Sequence, residues 1–198
     1  MCSSDLMSKR ERTAELRKRL FQLLKERAFR RGRIVLASGR ESDFYFDMKP
    51  TIFDAEGAAL IAQHLLPEVR SANADYAGGL ELGAVPLASL VSRESMTGGK
   101  RIDGFFVRKQ AKGHGARKLI EGLAPGLSLA GKRVVVLEDV TTTGDSAFKA
   151  VEVCREVGAE VVMVISLVDR QEGADEAFAA RKLPFKSLFT ASEFLARK

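Results

Sequence analysis

The spacing of hydrophobic positions changes along the chain from helical intervals to short strand-like runs. Residues 8–29 place leucines among charged residues at helical spacing, which predicts an amphipathic helix. Residues 32–47 then alternate apolar and polar side chains around Ser38 and Gly39, which predicts a β-hairpin. From about residue 51 onwards, short apolar runs alternate with helical segments.

The second part of the chain has the pattern of repeated strand–helix–strand units. The predicted helices cover about residues 54–70, 85–95 and 144–157. The predicted strands cover about residues 75–83 (ending in a glycine-rich turn), 102–109, 133–140, 160–170 and 184–190. This alternation predicts the α/β class, with a central, mostly parallel sheet flanked by helices. We expect an N-terminal subdomain over residues 1–50 and one integrated core domain over residues 51–198.

Composition narrows the class of protein. A chain of 198 residues with 45% hydrophobic and 29% charged residues is typical of a globular fold. Its two cysteines, Cys2 and Cys154, lack metal-ligand spacing and predict no disulfide scaffold, which fits a reducing compartment. The N-terminal segment lacks the apolar core of a signal peptide, and the apolar runs are too short to cross a membrane. We therefore expect a soluble, cytoplasmic protein.

The formal net charge of +6 draws on two basic segments, residues 9–33 and 100–118. In the first segment the cations alternate with leucines, so we interpret them as the solvated face of the predicted helix. The second segment is rich in glycine and has no helical pattern. Its cations therefore need another explanation.

The clearest candidate site follows the strand predicted at residues 133–140. Glu138 and Asp139 end an apolar run, and residues 141–144 add three threonines and a glycine before a predicted helix. Ligands of parallel sheets bind beyond the carboxyl ends of the strands, and the N–H groups at a helix start attract an anion. The lysine of a Walker A loop is missing. Two carboxylates beside such a phosphate cradle suit vicinal hydroxyls, so the segment predicts a ribose 5-phosphate pocket.

The basic segment contains a loop that complements this pocket. It follows the strand predicted at residues 102–109 and contains Gly113 and Gly115, which permit movement. Its four potential cations are Arg108, Lys109, Lys112 and His114. Beside a phosphate cradle, we interpret the loop as a diphosphate clamp that neutralises a leaving group in the transition state. Closure of the loop would also exclude water from a reactive sugar.

Several segments resemble a known family. Residues 134–147, VVVLEDVTTTGDSA, resemble the 5-phosphoribosyl 1-diphosphate (PRPP) motif of the type I phosphoribosyltransferases. The pattern RKxxKxHG that begins at Arg108 resembles the catalytic loop of one branch, the orotate phosphoribosyltransferases. The segments that further resemble this branch are residues 36–47 (substrate hairpin), 78–88 (diphosphate turn) and 167–173 (orotate-facing arginine). The resemblance spans about residues 16–173 in the right order.

The resemblance implies a type I phosphoribosyltransferase fold with a small N-terminal hood. It implies a pentosyltransferase that condenses orotate with PRPP to give orotidine 5′-monophosphate and diphosphate, in pyrimidine biosynthesis. Mg²⁺ would travel with PRPP, so we expect no metal site made of protein ligands alone. The implied partners are the two small-molecule substrates and a second copy of the chain, because this family's basic loop acts across the subunits of a homodimer. We expect neither a nucleic acid nor a membrane as a partner.

The resemblance also implies roles for individual residues. Catalytic roles fall on Lys109 and Asp139. The residues expected to bind PRPP are Arg108, Lys109, Lys112, His114, Glu138, Asp139, Val140, Thr141, Thr142, Thr143, Gly144, Asp145 and Ser146. The residues expected to contact orotate are Thr142, Arg170, Tyr45 and Phe46. The planar guanidinium of Arg170 can itself fork a carboxylate, whereas packing within the hairpin is a nearly equal alternative for the two aromatic residues.

Some positions depart from the family pattern or need no functional role. Ala37 and Leu82 stand where some relatives have lysines that touch PRPP, and Lys49 is a candidate to compensate. His64 and Cys154 lie among apolar neighbours on predicted helices, so we interpret both as structural.

Two other functions stay open at this stage. A purine phosphoribosyltransferase would share the PRPP motif, although RKQAKGHG and VDRQEG argue against it. A regulator that keeps the fold and binds nucleic acid would fit a pI near 9.5, and its affinity for RNA would fall steeply with salt. The intact basic loop argues against a regulator.

Overall fold

The computed structural model describes residues 8–35, 41–110 and 119–196. The chain divides into two compact units, Met1–Leu60 and Ile61–Lys198. The helix Ala55–Ser71 begins in the first unit and continues into the second.

The first unit contains a helix, a hairpin and a short second helix. Its elements are α1 (Lys9–Arg27), β1 (Phe29–Val35), β2 (Glu41–Phe46), α2 (Lys49–Ile52) and the start of α3 (Ala55–Ser71). A capping box starts α1, because Ser8 Oγ accepts a hydrogen bond from the backbone N–H of Glu11 and Glu11 Oε2 accepts one from the N–H of Ser8. Leu20, Leu23 and Leu24 are buried, which confirms the predicted apolar face of this helix.

Aromatic residues hold the hairpin of the first unit together. Strands β1 and β2 are antiparallel, and Phe29 lies opposite Phe46. The ring centroids of Phe29 and Phe46 are 5.2 Å apart, and those of Phe44 and Phe46 are 5.9 Å apart. Tyr45 alternates to the other face of β2 and is 37% exposed.

The second unit is built on a twisted sheet in the strand order β5-β4-β3-β6-β7-β8. Its strands are β3 (Tyr76–Leu80), β4 (Asp103–Val107), β5 (Ile120–Glu121), β6 (Arg133–Thr141), β7 (Glu160–Asp169) and β8 (Phe185–Thr190). Its further helices are α4 (Ala84–Ser95), α5 (Asp145–Glu156), α6 (Ala174–Ala180) and α7 (Ala191–Leu195). The strand pairs are parallel except β4 with β5. The predicted α/β class with a mostly parallel sheet is confirmed.

The core of the second unit lies on both faces of the central strands. Every residue of β3 is buried, and so are residues 134–138 of β6. Such continuous buried runs are typical of parallel strands that helices cover on both sides. Cys154 packs in this core on α5 and is 0% exposed, which confirms its structural interpretation.

The strand order reverses between β3 and β6. The chain runs from β3 to β4 on one side, and β6 then pairs with β3 on the other side. The carboxyl ends of β3 and β6 therefore flank the switch point, where α/β proteins bind ligands. None of the helices in the described ranges is both long enough and apolar enough to span a membrane.

Candidate active site

The predicted acidic pair stands at the carboxyl end of β6, at the switch point. Glu138 is 7% exposed, and no described residue forms a hydrogen bond with its Oε1. Burial, and secondarily the negative charge of Asp139, raise the pKa of Glu138 to about 8, while the positive charge of Lys109 lowers it. The site therefore holds a desolvated carboxyl group whose Oε1 has no hydrogen-bond partner among the described residues.

Asp139 lies against the turn that follows β3. It is half-buried, and its Oδ1 accepts a hydrogen bond of 2.9 Å from the N–H of Val140. A Cβ atom at Gly83 would lie 2.5 Å from the same Oδ1. A side chain at position 83 would therefore force the Asp139 carboxylate to move from this position. The peptide bond between Glu81 and Leu82 in this turn is cis.

The threonine loop after β6 leads directly into helix α5. Thr141 is buried, and no described residue pairs with its Oγ1. Thr142 and Thr143 are half-buried. Gly144 has φ of +89° and precedes Asp145, the first residue of the helix. Within the described part of the chain, no side chain caps this helix start, so its N–H groups can receive an anion.

Two aromatic rings lie against the threonine loop at Gly144. A Cβ atom at Gly144 would lie 3.0 Å from Phe178 Cζ and 3.1 Å from Phe148 Cε2. The two rings are themselves 4.6 Å apart between centroids. The loop backbone therefore rests on a rigid apolar surface, which fixes where its donors point.

The start of the basic loop is attached to the turn after β3. The backbone N–H of Lys109 donates a hydrogen bond of 2.7 Å to Glu81 Oε1. Arg108 lies 3.6 Å from a carboxylate oxygen of Glu121 and donates through Nε to the carbonyl of Gln110. Of the other predicted cations of this loop, Lys112 and His114 both lie outside the described residues.

Arg170 lies at the end of β7, beside the threonine loop. Its backbone N–H donates a hydrogen bond of 2.9 Å to the carbonyl of Thr141. Its side chain is only 3% exposed, and its Nε donates to Glu172 Oε1 over 2.7 Å. A buried guanidinium thus accompanies the acidic pair and the phosphate cradle at the same edge of the sheet.

The remaining predicted positions have other surroundings. Tyr45 and Phe46 lie on β2 in the first unit, and their contact with orotate stays a prediction. Lys49 pairs with Asp47 over 2.5 Å. Leu82 is 68% exposed, and Ala37 lies outside the described residues.

Sequence reasoning gave no role to three residues that shape the site. Gly83 makes room for Asp139, Glu81 holds the backbone of Lys109, and Glu172 pairs with Arg170. The first two belong to the segment that resembles the diphosphate turn, and Glu172 follows Arg170 by two positions. The resemblance had singled out these segments, whereas the pairings depend on three-dimensional geometry.

Comparison with known proteins gives the family. Residues 52–183 match the model of the family described as "Phosphoribosyl transferase domain". An orotate phosphoribosyltransferase of Rhodopseudomonas palustris is 59% identical over 179 residues, which cover 90% of this chain and 96% of that protein.

Solved structures agree with this comparison. The orotate phosphoribosyltransferase of Mycobacterium tuberculosis in complex with Fe(III) dicitrate superposes with a TM-score of 0.78 at 38% identity, covering 90% of this chain and 98% of that one. A structure of the same bacterium's enzyme in complex with PRPP gives a TM-score of 0.75 at 34% identity, covering 91% of this chain and 99% of that one.

The fold and the acidic pair beside the threonine loop thus define a type I phosphoribosyltransferase. The relatives narrow the class, and the chain belongs to the orotate phosphoribosyltransferase family. The predicted family, fold and enzyme class, a pentosyltransferase, are confirmed.

Proposed function

We propose that this chain transfers the ribose 5-phosphate group of PRPP to orotate, giving orotidine 5′-monophosphate and diphosphate in de novo pyrimidine biosynthesis. The observation that carries the proposal is the joint position of the acidic pair, the threonine loop and Arg170 at one edge of the sheet. Arg170 is tied to Thr141 by a backbone hydrogen bond of 2.9 Å. A site for phosphoribose and a cation for an acidic base are therefore neighbours.

The threonine loop is the proposed site of the 5-phosphate. The uncapped start of α5 offers backbone N–H groups, and the hydroxyls of Thr141, Thr142 and Thr143 add donors. Residues 140–146 would together surround the phosphate. Glu138 and Asp139 would accept hydrogen bonds from the ribose hydroxyls, which gives the unpaired Oε1 of Glu138 a partner.

The diphosphate of PRPP would lie between the turn after β3 of one subunit and the basic loop of the other subunit. Arg108 and Lys109 would face it, together with Lys112 and His114 from the segment that the structure does not describe. Their positive charge would stabilise the negative charge that develops on the leaving diphosphate.

Mg²⁺ is the cofactor we propose, carried by PRPP. Within the described ranges, no group of three or more histidine, cysteine, aspartate or glutamate side chains could hold a metal ion. Oxygen ligands suit Mg²⁺, and the phosphate oxygens of PRPP would supply them. When bound, the ion would supply charge neutralisation at the diphosphate.

Orotate would be recognised mainly by Arg170. The planar guanidinium can donate two parallel hydrogen bonds to the orotate carboxylate. Thr142 would contact the base from the threonine loop. Tyr45 and Phe46 are also proposed to contact the pyrimidine ring.

The proposed reaction relies on positioning and charge rather than on a strong base. The ring nitrogen of deprotonated orotate forms a bond to C1 of the ribose, while the bond from C1 to the diphosphate oxygen breaks and its electron pair leaves with the diphosphate. Asp139 would hold the ribose and stabilise positive charge on it, and Lys109 would stabilise the leaving group. We further propose a cytoplasmic homodimer in which the basic loop serves the partner's site.

Orotate consumption tests the proposed function. The absorbance of orotate is followed with PRPP and Mg²⁺, beside adenine, hypoxanthine and uracil as competing bases. We expect turnover of orotate alone, and we expect Lys109→Ala to lower kcat about a hundredfold because a charge on the leaving group is lost. The matched control is Lys132→Ala, an exposed lysine before β6.

Two outcomes would contradict the proposal. Turnover of a purine would be consistent with the fold and the phosphate site but would refute orotate as the substrate. Binding of PRPP without turnover of any base would favour the regulator that the basic composition permits.

A further inference from the structure

The guanidinium of Arg170 is a buried cation with a defined partner. Its side chain is 3% exposed, whereas that of Glu172 is 24% exposed. The bond between Arg170 Nε and Glu172 Oε1 measures 2.7 Å, which is typical of a charge-assisted hydrogen bond. A charge so removed from water needs such a partner.

The backbone between the two residues is built to bring them together. Gln171 has φ of +60° and Gly173 has φ of +102°, so two left-handed residues flank Glu172. Asp169 Oδ1 accepts a hydrogen bond of 2.9 Å from the N–H of Gln171. Gln171 Oε1 in turn accepts one of 3.0 Å from the N–H of Ser192. Gln171, which precedes Glu172, is thus held through both its backbone N–H and its side chain.

The pairing through Nε restricts how Arg170 can present its guanidinium. An arginine side chain has several freely rotating bonds, and each unfixed bond would reduce the population of the orientation that binds a ligand. Because the guanidinium is planar, a fixed Nε sets the plane and the direction of its terminal nitrogens. The hydrogen bond from the backbone N–H of Arg170 to the carbonyl of Thr141 holds the backbone of Arg170 beside the threonine loop.

We propose that Glu172 is a positioning residue that orients the guanidinium of Arg170 towards a carboxylate on the base. The proposal rests on the proposed function, in which the base is orotate. Glu172 acts through geometry rather than attraction, because its own negative charge repels an anionic base. Its removal would add net positive charge near the base and still weaken binding.

Steady-state kinetics of Glu172 variants test the proposal. We expect Glu172→Ala to raise the KM for orotate about tenfold, as for one lost oriented hydrogen bond, and to leave the KM for PRPP unchanged. Glu172→Gln keeps an acceptor oxygen and removes the charge, so it should restore most of the affinity for orotate. Glu176→Ala removes an exposed carboxylate four positions further on and should change neither constant.

A double-mutant cycle separates orientation of Arg170 from a general structural effect. If Glu172 acts only through Arg170, the double variant should have the same KM for orotate as Arg170→Ala alone. Thermal unfolding of each variant detects loss of the fold, and the KM for PRPP reports the neighbouring site.

Each contrary result has its own meaning. An unchanged orotate KM in Glu172→Ala, or additive effects in the cycle, would refute the positioning role. Equal increases in the KM for orotate and for PRPP would show a structural role instead. Wild-type protein that does not consume orotate would refute the proposed function itself, which distinguishes the two failures.

Discussion

Glu138 combines two properties that usually exclude each other, burial and an ionisable carboxyl group. Its pKa of about 8 lies far above the ordinary value of 4.5, mainly because burial disfavours the charged form. The proposed function explains why such a group is retained, since a ribose hydroxyl would meet its unpaired oxygen. The cost is a dependence of folding stability on pH.

The first prediction concerns this pH dependence. Between about pH 4.5 and pH 8 the folded protein keeps the proton on Glu138 while the unfolded chain loses it. The contribution of Glu138 to stability is therefore present below the unfolded pKa and is lost as the pH rises through this window, by at most about 1.4 kcal/mol per pH unit. The free energy of unfolding of Glu138→Gln, taken relative to that of wild type, should therefore increase between pH 5.5 and pH 8.5. Urea denaturation at intervals of about one pH unit measures this difference.

An exposed carboxylate provides the control for that experiment. Glu152→Gln changes an exposed residue of α5, so its difference from wild type should stay constant over the same range. A constant difference for Glu138→Gln as well would show that the folded state holds Glu138 at its ordinary pKa.

At the scale of elements, the junction between β6 and α5 depends on Gly144. Its φ of +89° disfavours any side chain, and a Cβ atom there would lie only 3.0 Å from the ring of Phe178 and 3.1 Å from that of Phe148. Strain and crowding therefore coincide at the loop proposed to hold the 5-phosphate.

The second prediction separates strain from crowding. Gly126 has a similar φ of +82°, but a Cβ atom there would meet no described atom within 4 Å. We expect Gly126→Ala to destabilise the fold by about 1 kcal/mol and leave the KM for PRPP unchanged. Gly144→Ala should cost about 2 kcal/mol or more and lower kcat/KM for PRPP about tenfold, because the loop must move away from the rings.

Thermal unfolding and PRPP saturation curves measure these two effects. Equal destabilisation by both substitutions, with an unchanged KM for PRPP in each, would mean that the aromatic rings do not fix the threonine loop.

The elements that could be predicted from the sequence are those with a long or contiguous hydrophobic pattern. The main parallel strands and helices α1, α3, α4 and α5 appeared from periodicity alone. Strand β5 has only two residues, and α6 and α7 have seven and five, so their patterns are too short to distinguish from loops. The acidic pair and the threonine loop were predictable because they adjoin in the chain. The contacts of Gly83 and Glu81 were not, because their partners lie far away in sequence.

At the scale of the whole molecule, the proposed active site draws on two copies of the chain. Lys109 and Asp139 both serve the reaction in the proposal, and the basic loop of one subunit would complete the site of the other. A site made in this way can be rebuilt from two defective chains.

The last prediction uses this property. In a mixed dimer of Lys109→Ala and Asp139→Asn subunits, one site would contain both substitutions and the other site would contain neither. Random exchange makes half of the dimers mixed, so about a quarter of all sites should regain wild-type activity. Activity is measured after the two inactive proteins are mixed, with differently tagged subunits to quantify the exchange.

The control for this experiment is each variant exchanged with itself, which should stay inactive. If the basic loop serves its own subunit, every site in every dimer carries one substitution, and the mixture stays inactive although tagged subunits have exchanged. If the chain is a monomer, no mixed species forms at all. Because each of the three arrangements gives its own combination of subunit exchange and activity, one mixture distinguishes them.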